Sequence, residues 1–366
     1  MQTDLLAWLR WVLIPNIGLK RSHQLLNLID SPQALFLHPD RWPLPDSVKQ
    51  TIREMNLLGE QHPIHRRAVE QCRWTEADRH HLILPMDDHY PEKLTHIEDS
   101  PLILWGVGDP TLLNNTQVGI VGSRHASHNA LRHTKAISRD LARAGVTLTS
   151  GGAKGVDAAC HQAAVDQQGT TIAVLGCGVD VIYPKVNRTL FSDIRQQGLI
   201  LSEYPLGTQP KPGHFPRRNR LISALSDIVV VIEAATQSGS LITASHALDQ
   251  GKDIFAMPGD IGNPNCAGCH HLIRDGAYIL TSAEDLLQHL NWRADTHTKR
   301  ANNSAPELTP VQQQIVQVLQ CDQLPLDSLA HQLNLAVHQL LEPILELELS
   351  GLIEQQPGGY TLCDIA

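Results

Sequence analysis

Residues Val118–His161 read VGIVGSRHASHNALRHTKAISRDLARAGVTLTSGGAKGVDAACH. A short apolar run ends at Gly122-Ser123-Arg124, and a helical pattern marked by Leu131, Ile137 and Leu141 follows. A second apolar run ends at Ser150-Gly151-Gly152-Ala153-Lys154-Gly155. Two strands joined by a helix, each leaving through a glycine-containing turn, describe a βαβ unit of a parallel sheet. Ligands of such sheets sit beyond the carboxyl ends of the strands. Both turns fall there, each with one basic side chain, Arg124 and Lys154, so the two are expected to share one anion site. Glycine lets backbone approach a phosphate, and the start of the following helix presents free N–H groups.

Working outward, strands are expected at Leu82–Leu84, Val118–Val121, Val146–Thr149, Thr171–Leu175, Leu199–Leu201, Ile228–Ile232, Ile254–Ala256 and Ala277–Leu280, with helical patterns between most of them. Runs such as IAVL and IVVVI are apolar throughout, as strands covered on both faces are. So long an alternation gives an α/β fold, a doubly wound, mostly parallel sheet over residues 82–290. Residues 1–75 look helical. Within them Val12–Leu26 resembles a helix-hairpin-helix element whose turn could hold a phosphate, against the alternative of a plain bundle turn. Residues 291–308 are polar and irregular, a linker. In residues 309–366, Thr309-Pro310 opens a helix. Leu326–Leu335 and Val337–Ser350 continue as helices, and Ile353–Leu362 forms a hairpin. Three helices and a hairpin suggest a winged helix.

Composition narrows the function. A chain of 366 residues, 42% hydrophobic and 18% charged, is an ordinary globular protein of two or three domains. No apolar run approaches the roughly 18–20 residues of a membrane span, and the acidic N-terminus is unlike a signal peptide. An odd seven cysteines without a framework point to a reducing cytoplasm. The net charge of −9 argues against a generic polyanion binder. Its distribution matters more, because screening limits reach to about 8 Å. Residues 307–366 hold eight acids and no Lys or Arg, so the winged helix is expected to contact protein rather than DNA. Between Lys211 and Arg220 there are four basic residues and no acid.

That basic segment, Lys211-Pro-Gly-His-Phe215-Pro-Arg217-Arg218-Asn219-Arg220, is the second candidate site. Leu221, Ile222 and Leu225 mark a helix starting near Arg217, which places three arginines in its first turn, against the dipole preference for acids. An anion nearby would relieve this. Asn219 adds a donor, and Phe215 beside arginines has the pattern of a stacking platform for single-stranded nucleic acid. Asp157 and His161 share a helix face at i, i+4. They are either an acid/base pair or, the favoured reading, an acid at a helix start with a packed histidine. Glu203 and Glu233 at strand ends would orient the arginines, and Ser238-Gly239-Ser240 form another turn into a helix. Cys266-Ala-Gly-Cys269-His270-His271 lacks a second CxxC and the setting of a redox helix. No metal and no cofactor is implied.

VGIVGSR, SGGAKGVDAACH, YPKVN, SEYP, FPRRNR, VVVIEAATQSGSLITA, AMPG and GCHHLIRDGA together resemble the DprA/Smf family, the DNA-processing proteins of natural transformation. The resemblance runs in order through residues 82–290. It implies a Rossmann-like domain that binds single-stranded DNA, forms a homodimer, protects the incoming strand and helps load RecA. Carried over by position, it makes Arg124, Lys154 and Phe215–Arg220 the DNA-contacting set, to which the two glycine turns add Gly122, Ser123, Gly151, Gly152, Ala153 and Gly155. Lys211 is the candidate for the family's lysine ahead of FPRRNR. About five phosphate contacts would give a log–log salt slope near −3.5. Two other readings stand beside this one. One is a phosphoribohydrolase-like enzyme acting on a nucleotide-like ligand, although the PGGxGT segment of that group is absent. The other is an adaptor acting through the winged helix.

Overall fold

A computed structural model describes residues 2–292, 309–319, 323–349, 352–356 and 359–362. The chain divides into two compact units, residues 1–294 and 295–366. The larger begins with five helices, α1 (Gln2–Val12), α2 (Leu19–Leu26), α3 (Pro32–Leu37), α4 (Asp46–Leu58) and α5 (Pro63–Trp74). Helix α1 has two apolar faces, as spacings of three and four residues allow. Ala7, Trp11 and Ile14 meet Leu25, Leu35, Ile52 and Met55 in a helical core. Trp8, Leu9 and Leu13 meet Leu84, Trp105 and Val107 from the sheet region. Residues 1–75 thus have a core of their own and share another with the sheet. The turn from α1 to α2 is closed by Trp11 Nε1 donating to Ser22 Oγ at 3.0 Å.

Nine strands form one sheet: β1 (His80–Ile83), β2 (Leu104–Gly108), β3 (Gln117–Gly122), β4 (Thr147–Ser150), β5 (Thr171–Leu175), β6 (Leu199–Ser202), β7 (Ile228–Ile232), β8 (Asp253–Ala256) and β9 (Tyr278–Ile279). Their spatial order is β1-β2-β6-β5-β4-β3-β7-β8-β9. The seven strands from β6 to β9 are parallel, while β1 and β2 add an antiparallel edge. The doubly wound α/β fold is therefore present, with the direction of winding reversing between β3 and β7.

Strand β2 is absent from the sequence expectation, because Gly106 and Gly108 interrupt its apolar run. Pairing with β1 and β6 makes it a strand nonetheless. Its register, His80 opposite Val107, also places β1 two residues earlier than expected. The last strand is shorter than Ala277–Leu280.

Strand β7 shows why the sheet is buried on both faces. Val229 and Val231 pack among α10 (His214–Leu225), α11 (Gly239–Asp249) and α12 (Ala267–Arg274). Ile228, Val230 and Ile232 pack among α7 (His128–Arg143), α8 (Val156–Asp166) and α13 (Ala283–His289). This is the period-2 alternation of a strand between two helical layers. Trp292, assigned to the linker from sequence, belongs to this packing instead, and its Nε1 donates to Ala144 O at 2.8 Å. The rest of the expected linker, residues 293–308, lies outside the described residues.

The smaller unit has helices at Pro310–Leu319, Leu326–Leu333 and Val337–Leu349, then a hairpin pairing Ile353–Gln356 with Gly359–Leu362. Ile315, Leu329, Leu340, Ile344, Leu347 and Ile353 form its core. Thr309 and Gln312 cap the first helix reciprocally. The second helix ends earlier than expected, where Asn334 adopts φ +54° and Leu335 N–H returns to Ala330 O. Ser350, expected in the third helix, is outside the described residues. This is the winged-helix arrangement. No helix among the described residues is long and apolar enough to cross a membrane.

Candidate functional site

In an open α/β sheet the crevice lies where the winding reverses. Here a cavity of about 630 Å³ opens beyond the ends of β3 and β7. It is bounded by Gly122-Ser123-Arg124, by Phe215, Arg218 and Asn219 of α10, and by Ser238-Gly239-Ser240 at the start of α11. A smaller cavity of about 190 Å³ adjoins it, over Gly151–Lys154 after β4. Arg124, Ala153, Tyr183, Phe215 and Arg218 line both. The two basic turns expected to share a site therefore border adjoining cavities.

The glycines of these turns have internal causes. A Cβ on Gly122 would lie 1.9 Å from Ile232 O, so glycine is what lets β3 close on β7. Gly155 has φ +76° and would meet Ser123 O at 2.2 Å. Three of the turn amides are occupied as well. Ser123 N–H donates to Glu233 O at 2.9 Å, Val156 N–H to Ser123 O at 3.2 Å, and Ala153 N–H to Asp157 Oδ2 at 3.2 Å. The two turns are thus packed against each other, with these three amides already bonded, and they offer the cavities their side chains.

The arginine segment is corrected. Helix α10 starts at His214, not near Arg217, so the arginines fall in its second turn. Arg218 is buried, with Nη1 donating to Gly151 O at 2.7 Å and also to Val174 O. Burial pushes its guanidinium below the ordinary value, and the Asp157 carboxylate opposes that shift. Burial likewise pushes the Asp157 carboxyl up, with Arg218 opposing. Arg220 is buried against Glu203, at 2.5 Å, and Asp99, at 2.8 Å. Arg217 lies 3.8 Å from Glu203 and lines a separate pocket beside Gly18. Lys211 is exposed but outside both cavities, which Pro212 borders instead.

The remaining polar candidates also separate. His161 is fully buried and bonds Thr171 Oγ1 through Nδ1 at 2.7 Å, not Asp157, and burial holds it neutral down to about 3. Glu203 does hold arginines. Glu233 does not: at φ +49° it accepts the Ser127 N–H at 2.9 Å and the Ser127 hydroxyl, fixing the start of α7. Cys269 is buried with its thiol pushed up to about 11, and its Sγ faces Val231 O at 3.7 Å.

What faces the cavities is a cation–aromatic cluster. Arg124 sits 5.6 Å above the Phe215 ring, and Tyr183 lies beside that ring with centroids 5.5 Å apart. Arg124 and Lys154 are exposed and form no ion pair among the described residues. Sequence reasoning missed Tyr183 as a site residue, although YPKVN was a visible motif, and missed Gln237, Thr243 and Asn265 on the cavity wall.

Comparison with known proteins adds the family context. Residues 81–291 match the family model for DNA recombination-mediator protein A, and residues 299–359 match the DprA winged helix domain. Protein Smf of Escherichia coli (strain K12) is 39% identical over 293 residues, covering 78% of each chain. The X-ray structure of DNA processing protein A from Streptococcus pneumoniae aligns with TM-score 0.57 at 34% identity, covering 74% of this chain and 98% of that one. A structure bearing on the single-stranded DNA binding mode of DNA processing protein A from Helicobacter pylori aligns with TM-score 0.54 at 32% identity, covering 59% and 98%.

Two stability measurements check this geometry. Arg218 is buried, bonds two carbonyls and offsets the buried Asp157 charge, so Arg218→Ala is expected to cost about 3–5 kcal/mol in urea denaturation. The exposed Arg124→Ala should stay within about 0.5 kcal/mol; equal effects would contradict the two placements. His161 takes up a proton below about pH 6.5 when unfolded but stays neutral to about 3 when folded. Its contribution is therefore full above pH 6.5 and is lost as pH falls toward 3. Between pH 7 and pH 5 a His161→Gln chain should lose about 2 kcal/mol less than the unsubstituted chain. Identical pH dependence would refute the buried neutral histidine.

Proposed function

The chain belongs to the DNA recombination-mediator protein A family, and we propose that it binds single-stranded DNA across the two adjoining cavities. Arg124 and Lys154 take backbone phosphates, and Phe215 with Tyr183 stacks bases. The observation that carries this reading is a pair of exposed, unpaired cations flanking an aromatic divider between two cavities. A single nucleotide needs one cavity; successive nucleotides of a strand use two. Every base has a π-face, so an aromatic divider suits a sequence-tolerant binder.

The reading extends to a non-catalytic role in the cytoplasm: holding and protecting incoming single strands and passing them to a RecA-type recombinase. Two features support binding over catalysis. Asp157 accepts the Ala153 N–H and is influenced electrostatically by Arg218, and His161 is buried and bonded to Thr171, so the acid/base pair considered from sequence does not face the cavities as a unit. With Arg218 and Arg220 held in buried contacts, two cations per protomer face the cavities. So few phosphate contacts favour a homodimer or side-by-side assembly on the strand. The acidic winged helix, without Lys or Arg in residues 307–366, suits a protein contact.

Fluorescence anisotropy with an oligothymidylate across a salt series tests the reading. Two phosphate-neutralising cations give a slope of about −1.4 per protomer, shallower than the roughly −3.5 of about five phosphate contacts. Phe215→Ala should weaken binding by about 1–3 kcal/mol, and Arg124→Ala with Lys154→Ala should remove most of the salt dependence. Unchanged affinity and slope in the triple variant would refute the site.

A further inference from the structure

A separate pocket of about 200 Å³ lies outside the two cavities, where the turn from α1 to α2 meets the sheet. Its walls include Gly18, Ile103, Trp105, Glu203, Tyr204 and Arg217. We propose that this pocket takes one unpaired base of the bound strand and reads its Watson–Crick edge through Glu203 and Arg217. The proposal rests on the single-strand reading above and adds a base subsite outside the cleft, one closed to a paired base.

The first observation is a buried carboxylate with one oxygen unused. The Glu203 side chain is 5% exposed, and its Oε2 accepts from Arg220 Nη2 at 2.5 Å. Its Oε1 is closed to bulk solvent and has no hydrogen-bond partner. A charged acceptor left unmatched in the interior is more costly than a neutral one. Arg217 Nε stands 3.8 Å from it, beyond hydrogen-bond distance.

The second observation is Arg217. Its side chain is 47% exposed and makes no hydrogen bond among the described residues. Arg218 and Arg220 on the same helix are buried and bonded. The Arg217 guanidinium is therefore free to move with a ligand. An acceptor and a donor face the same pocket without satisfying each other, and an edge that carries an N–H next to an acceptor atom satisfies both. Every base has such a Watson–Crick edge: N3–H beside O4 in thymine, N4–H beside N3 in cytosine, N6–H beside N1 in adenine, N1–H beside O6 in guanine. Unpaired bases are read on this edge and stacked on aromatic side chains, and a carboxylate is a known acceptor for a base amino group.

The third observation is the wall itself. Trp105 is 1% exposed and its Nε1 is already donated to Gln71 at 2.9 Å, so its free surface is apolar ring. Tyr204 stacks on His214 with centroids 4.2 Å apart, and His214 immediately precedes Phe215. The pocket wall is thus continuous with the aromatic divider between the cavities, which favours a base of the same strand over a side chain of another protein. In a duplex the Watson–Crick edges are taken by pairing, so the pocket selects single strands without selecting a sequence.

3-Methylthymine replaces the N3–H by a methyl group and leaves the ring face for stacking. Anisotropy of the full-length chain compares an oligothymidylate with an oligo-3-methylthymidylate of the same length. Arg217→Met, Leu19→Trp, which fills the pocket from its half-buried rim, and Phe215→Ala are measured in parallel. Methylation is expected to lower the affinity of the unsubstituted and Phe215→Ala chains about tenfold, and that of Arg217→Met and Leu19→Trp by less than about twofold. Should Leu19→Trp alter thermal melting, Arg217→Met, on a half-exposed side chain, carries the comparison. A methylation effect that is absent from the unsubstituted chain, or equal in all four chains, overturns the base subsite. In that case the single-strand reading still stands if Phe215→Ala weakens binding of the oligothymidylate. If the unsubstituted chain binds neither oligonucleotide, both fall.

Discussion

The buried guanidinium of Arg218 is the interaction on which the site depends. It leaves α10, donates to Gly151 O after β4 and to Val174 O near the end of β5, and is balanced by Asp157 in the first turn of α8. One side chain thus locks the ends of two strands to two helices. A planar guanidinium can serve two carbonyls at once, as an ammonium cannot, and the cost of burying its charge is offset only because those acceptors and a carboxylate surround it. Gly151 is glycine because its Cβ would fall 2.5–2.7 Å from that guanidinium. With this clamp in place, Phe215, one turn earlier on α10, is held beside Tyr183 and beneath Arg124.

The clamp also divides the basic residues by task. Arg218 and Arg220 build the site; Arg124 and Lys154, exposed and without ion pairs among the described residues, are left for a ligand. This reconciles an acidic chain of net charge −9 with the polyanionic ligand proposed for it. At physiological salt the reach of a charge is about 8 Å, so a strand in the cavities senses these two cations and the polar start of α11 far more than the distant acids. On the proposed reading, such weak charge complementarity leaves base stacking as a large share of the affinity.

The βαβ unit was legible from Val118 to His161 because buried parallel strands are apolar throughout and end at glycines. The reversal between β3 and β7 follows from the same alternation. Strand β2 was not legible: Gly106 and Gly108 look like a loop until Leu199–Ser202 pairs with them. The turn glycines stood out in the sequence, but the contacts that require them did not. Gly122 and Gly155 answer to Ile232 O and Ser123 O, contacts between segments far apart in sequence. The arginine run looked like one surface patch because helical spacing does not say which of 217, 218 and 220 meets Glu203 and which meets Gly151. Tyr183 was passed over because it lies more than thirty residues from Phe215, and only the fold brings the rings together.

The central claim is that a single strand lies across the Phe215–Tyr183 divider with its bases on those rings. Photo-crosslinking with an oligonucleotide carrying 5-iododeoxyuridine, followed by peptide mapping of the full chain, tests it most directly, because the iodouracil reacts with an aromatic ring in stacking contact. Adducts on Phe215 or Tyr183, lost in the Phe215→Ala, Tyr183→Ala chain, are the predicted result. Adducts confined to residues 309–362, or spread over the surface and unaffected by those substitutions, would contradict it.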